Sequence, residues 1–160
     1  PRVVYGDLCF GLGLPIPVRR FNTVTLLGRL LLPIVTRLPI QFFYPTGEKQ
    51  EKRTPKFAKL FIESDLIAGD WHFIRRFAPE RLKGKMILTQ TLRKADLEWL
   101  KAIGITKAVT TTPEVGGETF ATNVMEAVLA AEAGRRLSEE EIQQRISALG
   151  WVPRVWNLNG

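Results

Sequence analysis

Asp70 and His72 are the first pair in this chain with the chemistry to move a proton. They lie in Asp65–Arg76, DLIAGDWHFIRR, where the apolar run Leu66-Ile67-Ala68 stops at Gly69 and gives way to an acid, an indole, the only histidine and two arginines. A carboxylate close to an imidazole can raise its pKa and fix its tautomer, giving a general acid/base near neutral pH. Arg75 and Arg76 follow one turn later and could clamp a carboxylate or phosphate bidentately. Lys49, in the charged stretch after Tyr-Pro-Thr-Gly, is a further candidate base. Each has a plainer reading: Asp70 capping a helix that His72 begins, the arginines and Lys49 solvated on a wet face.

The same device recurs. Met86-Ile87-Leu88 empties into Thr89, Gln90 and Thr91; the run ending at Val109 empties into Thr110, Thr111, Thr112, Pro113 and Glu114; Val3-Val4-Tyr5 is followed by Gly6 and Asp7. Short apolar strands at 3–6, 66–69, 86–89 and 106–110 alternate with helical segments. That alternation predicts an α/β fold: an open, mostly parallel sheet of four or five strands with helices on both faces. Right-handed crossovers would put all the strand ends on one edge, where ligands of open α/β sheets bind. Asp7, Asp70, His72, Thr89, Gln90, Thr91, Thr111, Thr112 and Glu114 should therefore share that edge. The threonine hydroxyls of 110–112 and a helix start near Asn123 would make an anion cradle there, although threonines are also simply good strand formers.

The elements between follow from periodicity and punctuation. Leu27, Leu31, Ile34 or Val35, and Leu38 recur at helical spacing within 22–39, with Pro33 on the polar side. We read this as a kinked helix covering the sheet; an interfacial membrane helix is the sharper alternative, disfavoured because it holds only two arginines. Phe57, Leu60 and Phe61 form a stripe after Pro55. A helix over 72–82 should break at Pro79, and one over 94–103 should end at Gly104. Asn123 with Glu126, and Ser138 with Glu141, are spaced as capping boxes. The last ten residues, WVPRVWNLNG, carry two of the four tryptophans and should dock.

At 160 residues the chain is one domain's worth. It opens on Pro1, so we expect it to be the C-terminal part of a longer chain whose preceding portion is a partner. Its net charge of +7 is scattered, without a basic run of five, and basic and aromatic side chains do not interleave on one element, which argues against nucleic acid. A lone cysteine, Cys9, excludes an internal disulfide, and one Cys with one His makes no ordinary zinc site, so no metal is expected. No signal peptide or run of about 18 uncharged apolar residues occurs. These features suit the cytoplasm. Self-association stays open.

GDLCFGLGLPIP, YPTGEKQ, AGDWHFIRRF and TTTPEVGGETFATNVMEA together resemble a bacterial family labelled quinate or shikimate 5-dehydrogenase. The resemblance implies a Rossmann-like domain and NAD(P)-linked oxidation of a cyclic polyol acid. In that setting Asp70, His72 or Lys49 would take the hydroxyl proton and Arg75 or Arg76 would hold the carboxylate. The chain itself contains no G-x-G-x-x-G turn. The alternative is a non-catalytic module binding a small carboxylate or phosphate ligand.

Overall fold

The computed structural model describes residues 2–39 and 53–159. They fall into two compact units, Pro1–Phe61 with Arg75–Pro79, and Ile62–Ile74 with Glu80–Gly160.

The first unit is helical. α1 (Asp7–Phe10) and α2 (Phe21–Val35) precede α3 (Ala58–Glu63), whose last two residues belong to the second unit. The expected strand at 3–6 does not form: Tyr5 makes a single antiparallel bridge, its N–H donating to the Val18 carbonyl at 2.7 Å. On either side of the bridge the chain turns into a helix, α1 from Asp7 and α2 from Phe21. Phe10 is the centre of the packing, with ring centroids 5.6, 5.3 and 5.4 Å from those of Phe57, Phe61 and Phe77. Cys9 is buried beside it in sequence, and burial pushes its thiol pKa up, the state of an inert rather than a reactive thiol.

α2 runs through Pro33, which is exposed, where a missing backbone donor disturbs least. Of the expected core-facing stripe Leu27, Leu31 and Val35 are half-buried, Ile34 and Leu38 are exposed, and α2 contains no buried residue.

The second unit holds a four-stranded sheet. β1 (Leu66–Ala68), β2 (Met86–Thr89) and β3 (Lys107–Thr110) are parallel and adjacent in that order, and β6 (Arg154–Asn157) runs antiparallel beside β3. α4 (Trp71–Phe77) links β1 to β2, its second half belonging to the first unit; α5 (Lys94–Ala102) links β2 to β3. A two-residue hairpin of β4 (Glu114–Val115) and β5 (Glu118–Thr119) leads to α6 (Thr122–Ala133) and α7 (Glu139–Ala148).

The sheet is buried more completely on one face than on the other, where Leu88 and Val109 are half-buried. Ile67, Ile87, Ala108 and Trp156 are register partners on the covered side, and Ile87 and Ala108 are fully buried. One residue away on each strand, Leu66, Met86 and Val155 are exposed. Topology is the cause. Strand order β1-β2-β3 never reverses, so crossovers of one hand carry both helices to one side. Trp71 of α4 and Trp99 of α5 accordingly meet edge to face, centroids 5.8 Å apart.

Helix ends follow the local signals closely. α4 stops at Phe77, before Pro79. Gly104 has φ +92° after α5, and a Cβ there would lie 3.0 Å from the Lys83 Cα, so both conformation and space require glycine. Ser138 and Glu141 form the capping box at α7: the Glu141 N–H donates to the Ser138 hydroxyl at 3.3 Å, and the Ser138 N–H donates to the Glu141 carboxylate at 2.9 Å. The Asn123–Glu126 box does not form, because α6 starts at Thr122 with Ala121 before it and no side-chain cap. The tail is held by Asn159, whose amide donates to the Lys101 and Ile105 carbonyls at 2.9 and 2.8 Å.

Candidate functional site

The carboxyl ends of β1, β2 and β3 open on one edge, and the antiparallel β6 brings its first residue to that edge. Thr89, Thr110 and Arg154 occupy one register row across β2, β3 and β6. Residues directly opposite in a sheet point to the same face. The row thus presents two hydroxyls and a guanidinium, on the side of Ile87 and Ala108.

The hydrogen bonds of the row differ from member to member. Thr110 is fully buried and its hydroxyl donates to the Thr112 carbonyl at 3.2 Å. The Thr112 hydroxyl, also buried, is shared between the Phe120 carbonyl at 2.6 Å and the Gln90 carbonyl at 3.1 Å. Thr119 accepts from the Leu92 N–H at 2.8 Å. Thr89 is 2% exposed, yet its hydroxyl has no partner among the described residues. A buried hydroxyl left unpaired costs about 1–3 kcal/mol, which most native sites avoid. Arg154 lies 5.2 Å over the Trp156 ring and its Nε is 3.2 Å from the Glu114 carboxylate. Both side chains of that pair are partly exposed, so the pair orients the guanidinium more than it stabilises the fold.

The remaining predicted residues divide. Asp70 and His72 stand at the end of β1, and Asp70 acts as a helix cap: its carboxylate accepts from the His72 backbone N–H at 2.9 Å, and its carbonyl accepts from Ile74. Gln90 and Thr91 are half-buried just past β2, and Thr111 is exposed just past β3, its N–H donating to the Thr89 carbonyl at 3.0 Å. Glu114 is at the edge through Arg154. Asn123 is exposed on the first turn of α6, accepting from the neighbouring Val124 N–H. Asp7 begins α1 in the other unit, and no strand forms at 3–6 to carry it. Arg75 and Arg76 also belong to that unit, where the Arg76 Nε donates to the Thr54 hydroxyl at 3.3 Å and the Arg76 guanidinium sits 5.3 Å from the Phe77 ring centre. Lys49 lies outside the described residues.

Arg154 escaped sequence reading. The signal was present as Arg-Val-Trp-Asn, a period-two run in the tail, but only pairing with β3 brings it beside Thr110. Among the described residues no three His, Cys, Asp or Glu side chains converge as a metal group, and no helix is long and apolar enough to cross a membrane.

Comparison with known proteins gives one match. A family model described as a domain of unknown function, DUF8754, matches residues 1–158, nearly the whole chain, and the protein belongs to that family. No curated protein and no solved structure matches it.

Proposed function

We propose that the carboxyl edge of the sheet binds a small metabolite bearing a carboxylate or phosphate, without catalysing its turnover. The observation that carries this reading is the buried Thr89 hydroxyl, without a partner among the described residues and in one row with Thr110 and Arg154. A hydroxyl donor and a guanidinium on the same side of a sheet edge suit an anionic oxygen. Inorganic phosphate, quinate and shikimate serve as probes in thermal-shift titrations. The protein should gain thermal stability with at least one of them, and Thr89→Val and Arg154→Gln should each lose the gain. A shift of equal size in Thr89→Val sinks the assignment.

The second reading is NAD(P)-linked oxidation of a cyclic polyol acid of the quinate type by a Rossmann-like domain. It is favoured by Asp70 beside His72 at the end of β1 and by the parallel run of β1, β2 and β3. The residues present do not fit a dinucleotide at these turns. The turns after β1, β2 and β3, at 69–70, 90–93 and 111–113, contain one glycine, Gly69, and so lack the G-x-G-x-x-G pattern that brings backbone against a pyrophosphate. Quenching or enhancement of NADH and NADPH fluorescence decides it; an unchanged signal removes the oxidoreductase reading and leaves the binding one intact.

A further inference from the structure

We infer that α2 binds an anionic lipid surface. Leu26, Leu30 and Ile34 recur every fourth residue and so lie along one side of the helix. They are 58%, 62% and 60% exposed, far more than isolated surface leucines need to be, and Phe21 and Leu32 are exposed as well. A continuous apolar stripe on a helix without a buried residue lacks a partner among the described residues.

Charge identifies the partner. Between Asp7 and Glu48 the sequence holds no acid, and Arg19, Arg20, Arg29 and Arg37 flank or interrupt the stripe. The unit that contains α2 has twelve Lys and Arg against three Asp and Glu, a net +9, which leaves −2 for the sheet unit. The whole chain's positive charge thus resides with the exposed leucines. Apolar side chains together with lysines and arginines are what a helix needs to lie in the headgroup region of an anionic bilayer. Pairing two copies through the same stripe would bring arginines together without an acid to balance them. Length excludes the other membrane arrangement. Fifteen residues make a helix of about 22 Å, short of the roughly 30 Å hydrocarbon core, so α2 lies on the surface rather than spanning it.

Vesicle flotation of the purified protein tests this. At low salt it should rise with vesicles of phosphatidylcholine mixed with phosphatidylglycerol, and stay down with phosphatidylcholine alone or at high salt. Leu30→Asp should weaken partitioning about tenfold or more. Arg29→Gln should weaken it about fivefold. Both positions are exposed, so unchanged circular dichroism and thermal unfolding will show that the fold is intact. Failure to float with the anionic vesicles overturns the inference, as does undiminished flotation of Leu30→Asp. A lipid-free dimer that Leu30→Asp dissociates would reassign the stripe to a second copy. RNA binding as tight as vesicle binding, and unaffected by Leu30→Asp, would reassign the charge to nucleic acid.

Discussion

In the sheet unit Leu82, Ile87, Leu92, Leu100, Ile105 and Leu129 are fully buried, while in the helical unit Leu26, Leu30 and Leu32 of α2 are exposed. α2 holds nine apolar residues in fifteen, so apolar content alone does not decide which side chains are buried. What differs is the neighbour that the topology supplies. β2 is flanked by β1 and β3 and covered on one face, so an apolar residue at every second position disappears. α2 has a half-covered side only, so its remaining leucines stay in water. Apolar residues drive folding where a partner exists, and become a surface for something else where none does.

The sharpest way to break this contrast is a pair of truncations. Leu100→Ala should cost about 3 kcal/mol, the price of an emptied core site, whereas Leu30→Ala should stay within about 0.5 kcal/mol. Urea unfolding of the two variants measures both, and a large loss in Leu30→Ala would mean that α2 packs as core. Next in size is Thr119→Val. It strips the acceptor from the Leu92 N–H and should cost about 2 kcal/mol. The chemically identical Thr89→Val removes a hydroxyl that has no partner among the described residues and should be neutral or stabilising by up to about 1 kcal/mol. Opposite signs for one substitution at two buried threonines would mark Thr89 as a site held for a ligand.

Smaller effects sharpen the account of α7. Ser138→Ala should lower stability by about 1 kcal/mol through the lost cap, read from the thermal midpoint. The smallest and most pH-dependent effect belongs to Glu141. Its bidentate contact with the Arg135 guanidinium, helped by the Ser138 N–H, holds its carboxyl at about 2, below the ordinary 4.5. A depressed acid stabilises the fold above its unfolded pKa and loses that contribution as pH falls through the folded one. The gap in thermal midpoint between the native protein and Glu141→Gln should therefore be full at neutral pH, shrink below 4.5 and close near 2. A gap that persists at pH 2 would assign the effect to packing instead of charge.

Much of the sheet was legible because its signals are local. β1, β2 and β3 are apolar runs bounded by glycine or hydroxyl residues, and Gly104 and Ser138 punctuate helices through chemistry confined to a few residues. The candidate site was legible in part for the same reason: Thr89, Thr110 and Glu114 end or follow their strands as read. The misses are all matters of pairing. Val3-Val4-Tyr5 has strand composition, but the chain enters α1 at Asp7 and the opposite segment enters α2 at Phe21, which leaves a single bridge. Asp7, Arg75 and Arg76 fall in the helical unit, a division of the chain that no strand or helix pattern announced.

The sequence by itself determined the strands β1, β2 and β3, the end of α5 before Gly104 and the start of α7 at Ser138, that the charge is basic, and that β1, β2 and β3 run parallel, because βαβ connections allow little else. Tertiary structure alone decided that one face of the sheet is buried more completely than the other, that the tail returns as β6 to set Arg154 in one row with Thr110 and Thr89, and that Leu26, Leu30 and Leu32 of α2 stay in water. Those outcomes depend on which distant segments meet. Periodicity marks an apolar side of a helix or strand, but whether that side is covered is a property of its neighbours.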